Sequence, residues 1–449
     1  MSIFQSSILS KASTFGDAVA LFDRASGTSV RYSELEEFLH ARMRGLSFQK
    51  DRPFATWAAS DFSHATLLLG LLLQGCVVAP LSHRLPEDEA LRRAEWIGAG
   101  CFWTAEENHQ LSPQAHPVNT TSAGTLLFTS GSSGMARAVR HDLEAHFSNA
   151  SGAAEQIPLS PGCAWLLSLP LHHVSGFSVL IRCLLTGATV VFPDKNLDLK
   201  KQIEDSAVTH VSLVAVQLRR LLAEGSALGN LQAVLVGGGP IDRSLVEQAM
   251  SVGVPLHLTY GMTETASQIA TSARLRSLEA DVFAGKVLSG REVRISPGGE
   301  IQVRGEVLPR GILTAQGLQP ATDAEGWFST GDAGRFDSNQ NLIIRGRLNR
   351  MFISGGENIC PESIEGLLMS VPQVRRAVVV GIPDQEFGAR PVAFIAGEAD
   401  AGSLRAFLRS RMEGFAVPDL FLPWPTDVPE DDAKVHFDLF NRLAQKARL

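Results

Sequence analysis

Four apolar runs in this chain each stop at a cluster of glycines, hydroxyls or histidines. Leu126-Leu127-Phe128 leads into Thr129, Ser130, Gly131, Ser132, Ser133 and Gly134. Trp165–Leu169 leads into Pro170, then His172 and His173 before Ser175-Gly176. Leu231–Val236 ends in Gly237, Gly238, Gly239 and Pro240, and Val254–Leu258 delivers Thr259 to Thr265. Buried strands separated by helix-length patterns predict an α/β fold built on a parallel sheet. Such sheets take ligands on the loops at the carboxyl ends of their strands.

The rest of the chain divides around these runs. Ahead of them, Ser33 is placed to cap a helix with Glu36 at the capping-box position. Phe54–Ala59 and Val77–Leu81 read as strands, Ser63 starts a helix, and Pro86 opens another with an acidic first turn. Thr209–Val216 reads as a further strand. From about Gly285 short alternating segments joined by Pro297-Gly298-Gly299 predict a small antiparallel subdomain through Arg345, with Asp332 just past one of its strands. The basic connection Arg345–Arg350 marks a division into residues 1–346 and 347–449. The second part alternates helix and strand in an α+β pattern, with strands at Ala377–Gly381 and Pro391–Ile395 and a helix at Ser403–Glu413.

The chain has 449 residues, more than one ordinary core, so two or three domains are expected. Its net charge of -7 is spread along the sequence, and no basic block points to nucleic acid or to an anionic membrane surface. The five cysteines are scattered without a CxxC, which argues against a disulfide framework or a structural zinc site and fits a reducing cytosol. No basic start followed by an apolar run marks a signal peptide. Ala65–Pro80 is too short to span a bilayer and reads as a buried helix running into a strand.

Each terminal cluster admits two readings. The 129–134 loop is either a flexible Ser/Gly turn or a phosphate cradle, since its backbone N–H groups and hydroxyls can converge. It is not a Walker A loop, because no Gly-Lys-Ser/Thr follows. Gly237–Gly239 is a tight turn or a surface for a flat ligand. The histidine pair is structural or part of a site. Tyr260 can stack on a base, Thr263 can bond phosphate, Glu264 can hold Mg²⁺, and Asp332 can accept from two ribose hydroxyls. Lys434, taken alone, is a solvated charge.

Together and in this order, these motifs resemble the adenylate-forming enzymes: acyl- and aryl-CoA synthetases, peptide-synthetase adenylation domains and beetle luciferases. The similarity runs from FTSGSSGMARAV (128–139) through GGG (237–239), YGMTETAS (260–267), STGD (329–332) and RGRLNRMFISGGENICPESIE (345–365) to Lys434. Within that family the chain is most similar to the o-succinylbenzoate–CoA ligases of menaquinone biosynthesis, on WLLSLPLHHVSG (165–176), SLVAVQLRRLL (212–222) and GIPDQEFGARPVAF (381–394). The resemblance implies a large N-terminal domain and a small mobile C-terminal domain. It implies an enzyme that uses ATP, Mg²⁺ and CoA on a small carboxylic acid, with no nucleic acid and no membrane insertion, in the cytoplasm. Many relatives are dimers, which leaves a homodimer open. The alternatives are a CoA ligase for another aromatic or medium-chain acid, and a nucleotide-binding homologue without turnover.

The resemblance also implies roles. Residues 129–134, with Arg137, would hold the ATP phosphates. Gly238 and Gly239 would flank adenine, with Tyr260 stacked on it and Gly261 beside it. Thr263 would touch the α-phosphate, Glu264 would bind Mg²⁺, and Asp332 with Arg347 would hold the ribose. Lys434 would reach the α-phosphate and acyl oxygens, with Lys446 as the fallback. Ser354, Gly355 and Gly356 would line the pantetheine tunnel, and His173 would sit by the acyl pocket. A second carboxylate on the acid calls for a cation or donors, for which Arg182, Gln217 and Arg219 are candidates. Three positions depart from the family pattern: Ala136-Arg137-Ala138 replaces Pro-Lys-Gly, Asn349 stands at the hinge, and Lys434 lies in Ala-Lys-Val-His.

Overall fold

The computed structural model describes residues 8–105, 107–111, 118, 122–129, 137–204, 207–241, 243–278, 284–355, 357–430 and 437–448. A nine-stranded sheet has the strands Ala233–Val236, His210–Leu213, Ala164–Leu166, Thr189–Phe192 and Val19–Asp23 side by side and parallel. Leu256–Met262 extends it in parallel, and Ser267–Thr271 and Lys286–Val287 turn back antiparallel at that edge. An eight-stranded sheet holds Cys101–Thr104, Phe54–Ala58, Val77–Ser82 and Gly124–Thr129 in parallel, then Arg137–Asp142 antiparallel to the last.

Four helices supply the main core between these sheets: Leu35–Arg42, Phe62–Leu73, Leu143–Gln156 and Val174–Thr186. Phe62–Leu73 is mostly apolar, and every residue from His64 to Leu73 is buried, as expected of a helix covered nearly all round. Asp61 starts it by accepting from the His64 backbone N–H at 3.0 Å. Each of its buried leucines is worth about 1.5–3 kcal/mol in area removed from water. Among the described residues, no helix is long and apolar enough to cross a membrane.

A four-stranded antiparallel sheet follows, in the order Arg291–Ile295, Glu300–Gly305, Phe328–Phe336, Leu342–Arg347. The small C-terminal domain is organised by a long hairpin, Val374–Asp384 with Gly388–Gly397, packed on the helices Pro361–Met369, Ala401–Arg409 and Phe437–Arg448. The last strand of the four-stranded sheet runs to Arg347, so a division after residue 346 falls one residue inside it. Gly346 in that strand has φ 145°, and a Cβ there would lie 2.5 Å from Cys360 Sγ and Glu362 Oε2. Cys360 Sγ also bonds the Arg345 carbonyl.

Several local expectations are corrected. Ser33 lies inside a 3-10 turn, Tyr32–Glu34, and it is Glu34 that accepts from the Arg31 N–H at 3.2 Å. The buried Tyr32, whose hydroxyl lies 2.7–2.8 Å from the Ala188 and Cys183 carbonyls, fixes where the chain turns. The strand expected over 209–216 ends at Leu213, and a helix starts at Ala215. Asp332 lies within Phe328–Phe336 rather than past a strand. Gly311–Thr314 and Gly317–Gln319 leave the small antiparallel subdomain and extend the eight-stranded sheet through Arg137–Asp142.

Candidate functional site

The strand Leu256–Met262 brings the site together. It delivers Tyr260 and Gly261, and a 3-10 turn, Thr263–Thr265, presents Thr263 and Glu264. Gly261 has to be glycine, because a Cβ would fall inside the Ser267 carbonyl oxygen. After the turn the backbone is strained: Ala266 has φ 51° and Ser267 φ 118°, regions side chains seldom occupy.

Asp332 faces this turn from the neighbouring sheet. It is 5% exposed, and both of its oxygens are engaged. Tyr260 Oη donates to Oδ2 at 2.7 Å, and Arg347 Nε lies 3.0 Å from Oδ1. Arg347 also donates to the Thr330 carbonyl at 3.2 Å. Burial raises the Asp332 carboxyl above its ordinary value, while the Tyr260 hydroxyl and the Arg347 cation oppose that. The Tyr260 phenol is pushed well up by burial and by the Asp332 charge. Burial likewise raises the Glu264 carboxyl, against the pull of Arg347 and Arg137. Tyr260, Glu264, Asp332, Arg347 and Arg137 therefore share one electrostatic neighbourhood.

The other expected residues are placed as follows. Thr129 ends its strand, half-buried and paired across the hairpin with Arg137. Ser130, Gly131, Ser132, Ser133 and Gly134 lie outside the described residues, as do Gly356 and Lys434. Gly238 and Gly239 are exposed beyond Ala233–Val236, and a Cβ on Gly239 would meet nothing within 4 Å. His173 sits at the start of Val174–Thr186, its ring 4.4 Å from that of His172. Burial lowers His173, with Arg84 adding to the effect, and lowers His172 to about 3, so both are neutral at pH 7. Ser354 is buried in the C-terminal domain, bonded to the Phe415 carbonyl and to Arg390, with the exposed Gly355 beside it at φ 63°. Lys446 is exposed on the last helix.

Of the three candidates for a second carboxylate, one stands out. Gln217 caps its own helix through the Val214 N–H at 3.0 Å, and Arg219 is exposed. Arg182 is 1% exposed on Val174–Thr186, 4.5 Å over the Trp165 ring, with one nitrogen bonded to Gln268 Oε1. Its Nε and Nη1 have no partner among the described residues, and burial lowers its pKa to about 10. Gln268, which holds it, and Asn149, which bonds the Gln268 carbonyl, carry no sequence signal beyond being amides in apolar segments.

A sequence profile described as AMP-binding enzyme matches residues 91–318, and one described as AMP-binding enzyme C-terminal domain matches residues 363–431. The 2-succinylbenzoate–CoA ligase of Escherichia coli strain K12 is 34% identical over 392 residues, 84% of this chain and 84% of that protein. The o-succinylbenzoate CoA synthetase of Bacillus subtilis, solved in complex with the acyl-adenylate intermediate OSB-AMP, matches with a TM-score of 0.82 at 25% identity over 97% of both chains. The same synthetase in complex with ATP and magnesium ion matches with a TM-score of 0.79 at 26% identity, over 93% of this chain and 95% of that one.

Proposed function

Since this chain belongs to the AMP-binding enzymes, we propose that it is an ATP-dependent acid–CoA ligase converting o-succinylbenzoate to o-succinylbenzoyl-CoA, a step of menaquinone biosynthesis. The observation that carries the nucleotide half of this reading is the Tyr260–Asp332–Arg347 cluster beside Glu264. Asp332 is the acceptor for the ribose hydroxyls, and Arg347 keeps it ionised. Tyr260 offers its ring to adenine against the open backbone of Gly238 and Gly239. Residues 130–134 and Arg137 receive the phosphates.

Magnesium fits this turn. Glu264 brings a hard carboxylate oxygen to the same turn as the Thr263 hydroxyl, and an ion shared between one carboxylate and substrate phosphates suits its coordination habits. When bound, it withdraws charge from the phosphate oxygens.

In the first step a carboxylate oxygen of the acid attacks the α-phosphorus. The new O–P bond forms as the bond to pyrophosphate breaks. Charge grows on the α-phosphate oxygens, where Thr263 donates and Lys434 is assigned by its sequence position. In the second step the CoA thiol gives its proton to solvent as its sulfur attacks the acyl carbonyl, a C–S bond forms, the acyl C–O bond breaks, and AMP leaves with the bridging oxygen. The C-terminal domain, residues 347–449, turns about Gly346–Asn349 between the steps and brings Ser354, Gly355 and Gly356 to the pantetheine arm. His173, neutral, lies by the acyl pocket.

Arg182 supports the choice of acid. A buried guanidinium with two nitrogens unanswered is costly, and the second carboxylate of o-succinylbenzoate answers it. The test is pyrophosphate release with ATP and Mg²⁺ across o-succinylbenzoate, benzoate, succinate and a medium-chain fatty acid, with the CoA thioester read by mass. Arg182→Met is expected to raise KM for o-succinylbenzoate about a hundredfold and to leave benzoate turnover unchanged. Turnover of a different acid, or equal effects on both acids, overturns the substrate assignment.

A further inference from the structure

Asn149 is buried on the helix Leu143–Gln156, 1% exposed, and lies in none of the motifs of the site. Its Nδ2 donates to two backbone carbonyls, Thr265 O at 3.1 Å and Gln268 O at 2.8 Å. The orientation is set by chemistry: turned over, the amide oxygen would face two carbonyls. In this orientation Oδ1 has no partner among the described residues. An unanswered acceptor is therefore tolerated in order to hold those two carbonyls.

The carbonyls bracket the strained pair Ala266 and Ser267. Thr265 follows Glu264 directly. The Gln268 side chain accepts from Arg182, and its amide reaches Thr271 Oγ1 at 2.7 Å. Arg291 Nη1 adds a second bond to Gln268 O, and its guanidinium is anchored to Ser289 O at 2.8–3.0 Å. One amide thus ties the turn carrying Glu264 to the residue that holds Arg182.

We propose that Asn149 is a positioning residue that sets the spacing between the magnesium- and phosphate-binding turn and the cation that receives the far end of the acid. This deepens the ligase reading above and rests on it. Asn149 touches no substrate. It acts by keeping residues 265–268 in a backbone conformation they would otherwise leave. Loss of its two bonds lets Glu264 and Arg182 drift relative to one another, which handicaps a long diacid more than a short monoacid.

The test compares Asn149→Ala, which removes both donors, with Asn149→Ser, which keeps one on a shorter arm. Pyrophosphate release is measured for o-succinylbenzoate and benzoate against acid and Mg²⁺ concentration, with the folded fraction taken from thermal denaturation. Asn149→Ala is expected to lower the kcat/KM preference for o-succinylbenzoate over benzoate about tenfold and to raise the Mg²⁺ half-saturation several-fold, with Asn149→Ser between it and the parent. A folded Asn149→Ala with an unchanged preference and unchanged Mg²⁺ half-saturation overturns the proposal. If the alanine variant does not fold, wild-type values in Asn149→Ser overturn it instead. If the parent itself shows no preference for o-succinylbenzoate, the substrate reading has failed, and the Mg²⁺ half-saturation with the acid that is used still decides the role of Asn149.

Discussion

Replacing Asp332 by Asn keeps the shape of the side chain and removes its charge. Oδ2 now accepts from Tyr260 at 2.7 Å, and Oδ1 faces Arg347 at 3.0 Å. An asparagine puts its Nδ2 against Tyr260 Oη, which then accepts instead of donating, and leaves a neutral oxygen for Arg347, so both contacts lose the carboxylate charge. A hydrogen bond to a charged group is worth about 1.5–3 kcal/mol. With the ribose bound, the same arithmetic weakens ATP by about 2–3 kcal/mol, a factor of about 30 to 150 in KM. The ribose lies away from the reacting phosphorus and is held equally in ground and transition states, so kcat stays within about threefold. The assay is pyrophosphate release against ATP concentration at saturating acid, with AMP binding by calorimetry as a second reading. A KM for ATP within twofold of the parent, combined with a large fall in kcat, would refute the assignment of Asp332 to the ribose.

Two further outcomes follow from the titrating groups. Burial raises Glu264, so on acidification it protonates before an ordinary glutamate does, and the Mg²⁺ needed for half-maximal turnover should climb as pH falls. Glu264→Gln should need about tenfold more Mg²⁺ at neutral pH and lose that acid-side dependence, and an undiminished dependence in the variant would place the titration elsewhere. Stability should also fall on mild acidification, because burial holds His64 and His210 at about 4 and His146 and His172 at about 3. In the unfolded chain they take up protons near 6.5, so stability is full above that value and is lost as pH drops toward the folded values, by about 1.4 kcal/mol per pH unit for each. Urea midpoints that do not move between pH 7 and pH 5 would contradict this.

The strands that end in chemistry were legible because each couples a short apolar run to residues that cannot continue it. Gly237–Gly239 and Tyr260–Glu264 stand where that pattern puts them. Pairing partners were not legible. Gly311–Thr314 alternates like its neighbours, yet it pairs with Arg137–Asp142 in a different sheet, a choice made by tertiary contact rather than by local pattern. The same holds for the meeting of Asn149, Arg182 and Gln268. They come from two helices and a strand distant in sequence, and a buried amide looks like any other polar residue on an amphipathic element. Gln217 shows the opposite failure: a polar residue that seemed free for a ligand is spent on its own helix terminus.

The packing around Gly346 sets a rule for building chimeras. A crossover between this chain and a relative would naturally be placed at the basic connection, where the composition changes. Yet position 346 has no room for a Cβ because Cys360 and Glu362 close over it, Cys360 bonds Arg345 O, and Arg350 is held by Glu362 at 2.8 Å and by Glu365 at 2.6 Å. These six residues form one heritable unit. A junction that draws Gly346 from one parent and Cys360 or Glu362 from the other mismatches a contact with no slack in it. Exchanged C-terminal domains should therefore be cut upstream of Phe328, so that the paired strands Phe328–Phe336 and Leu342–Arg347, with Asp332 and Arg347, travel together.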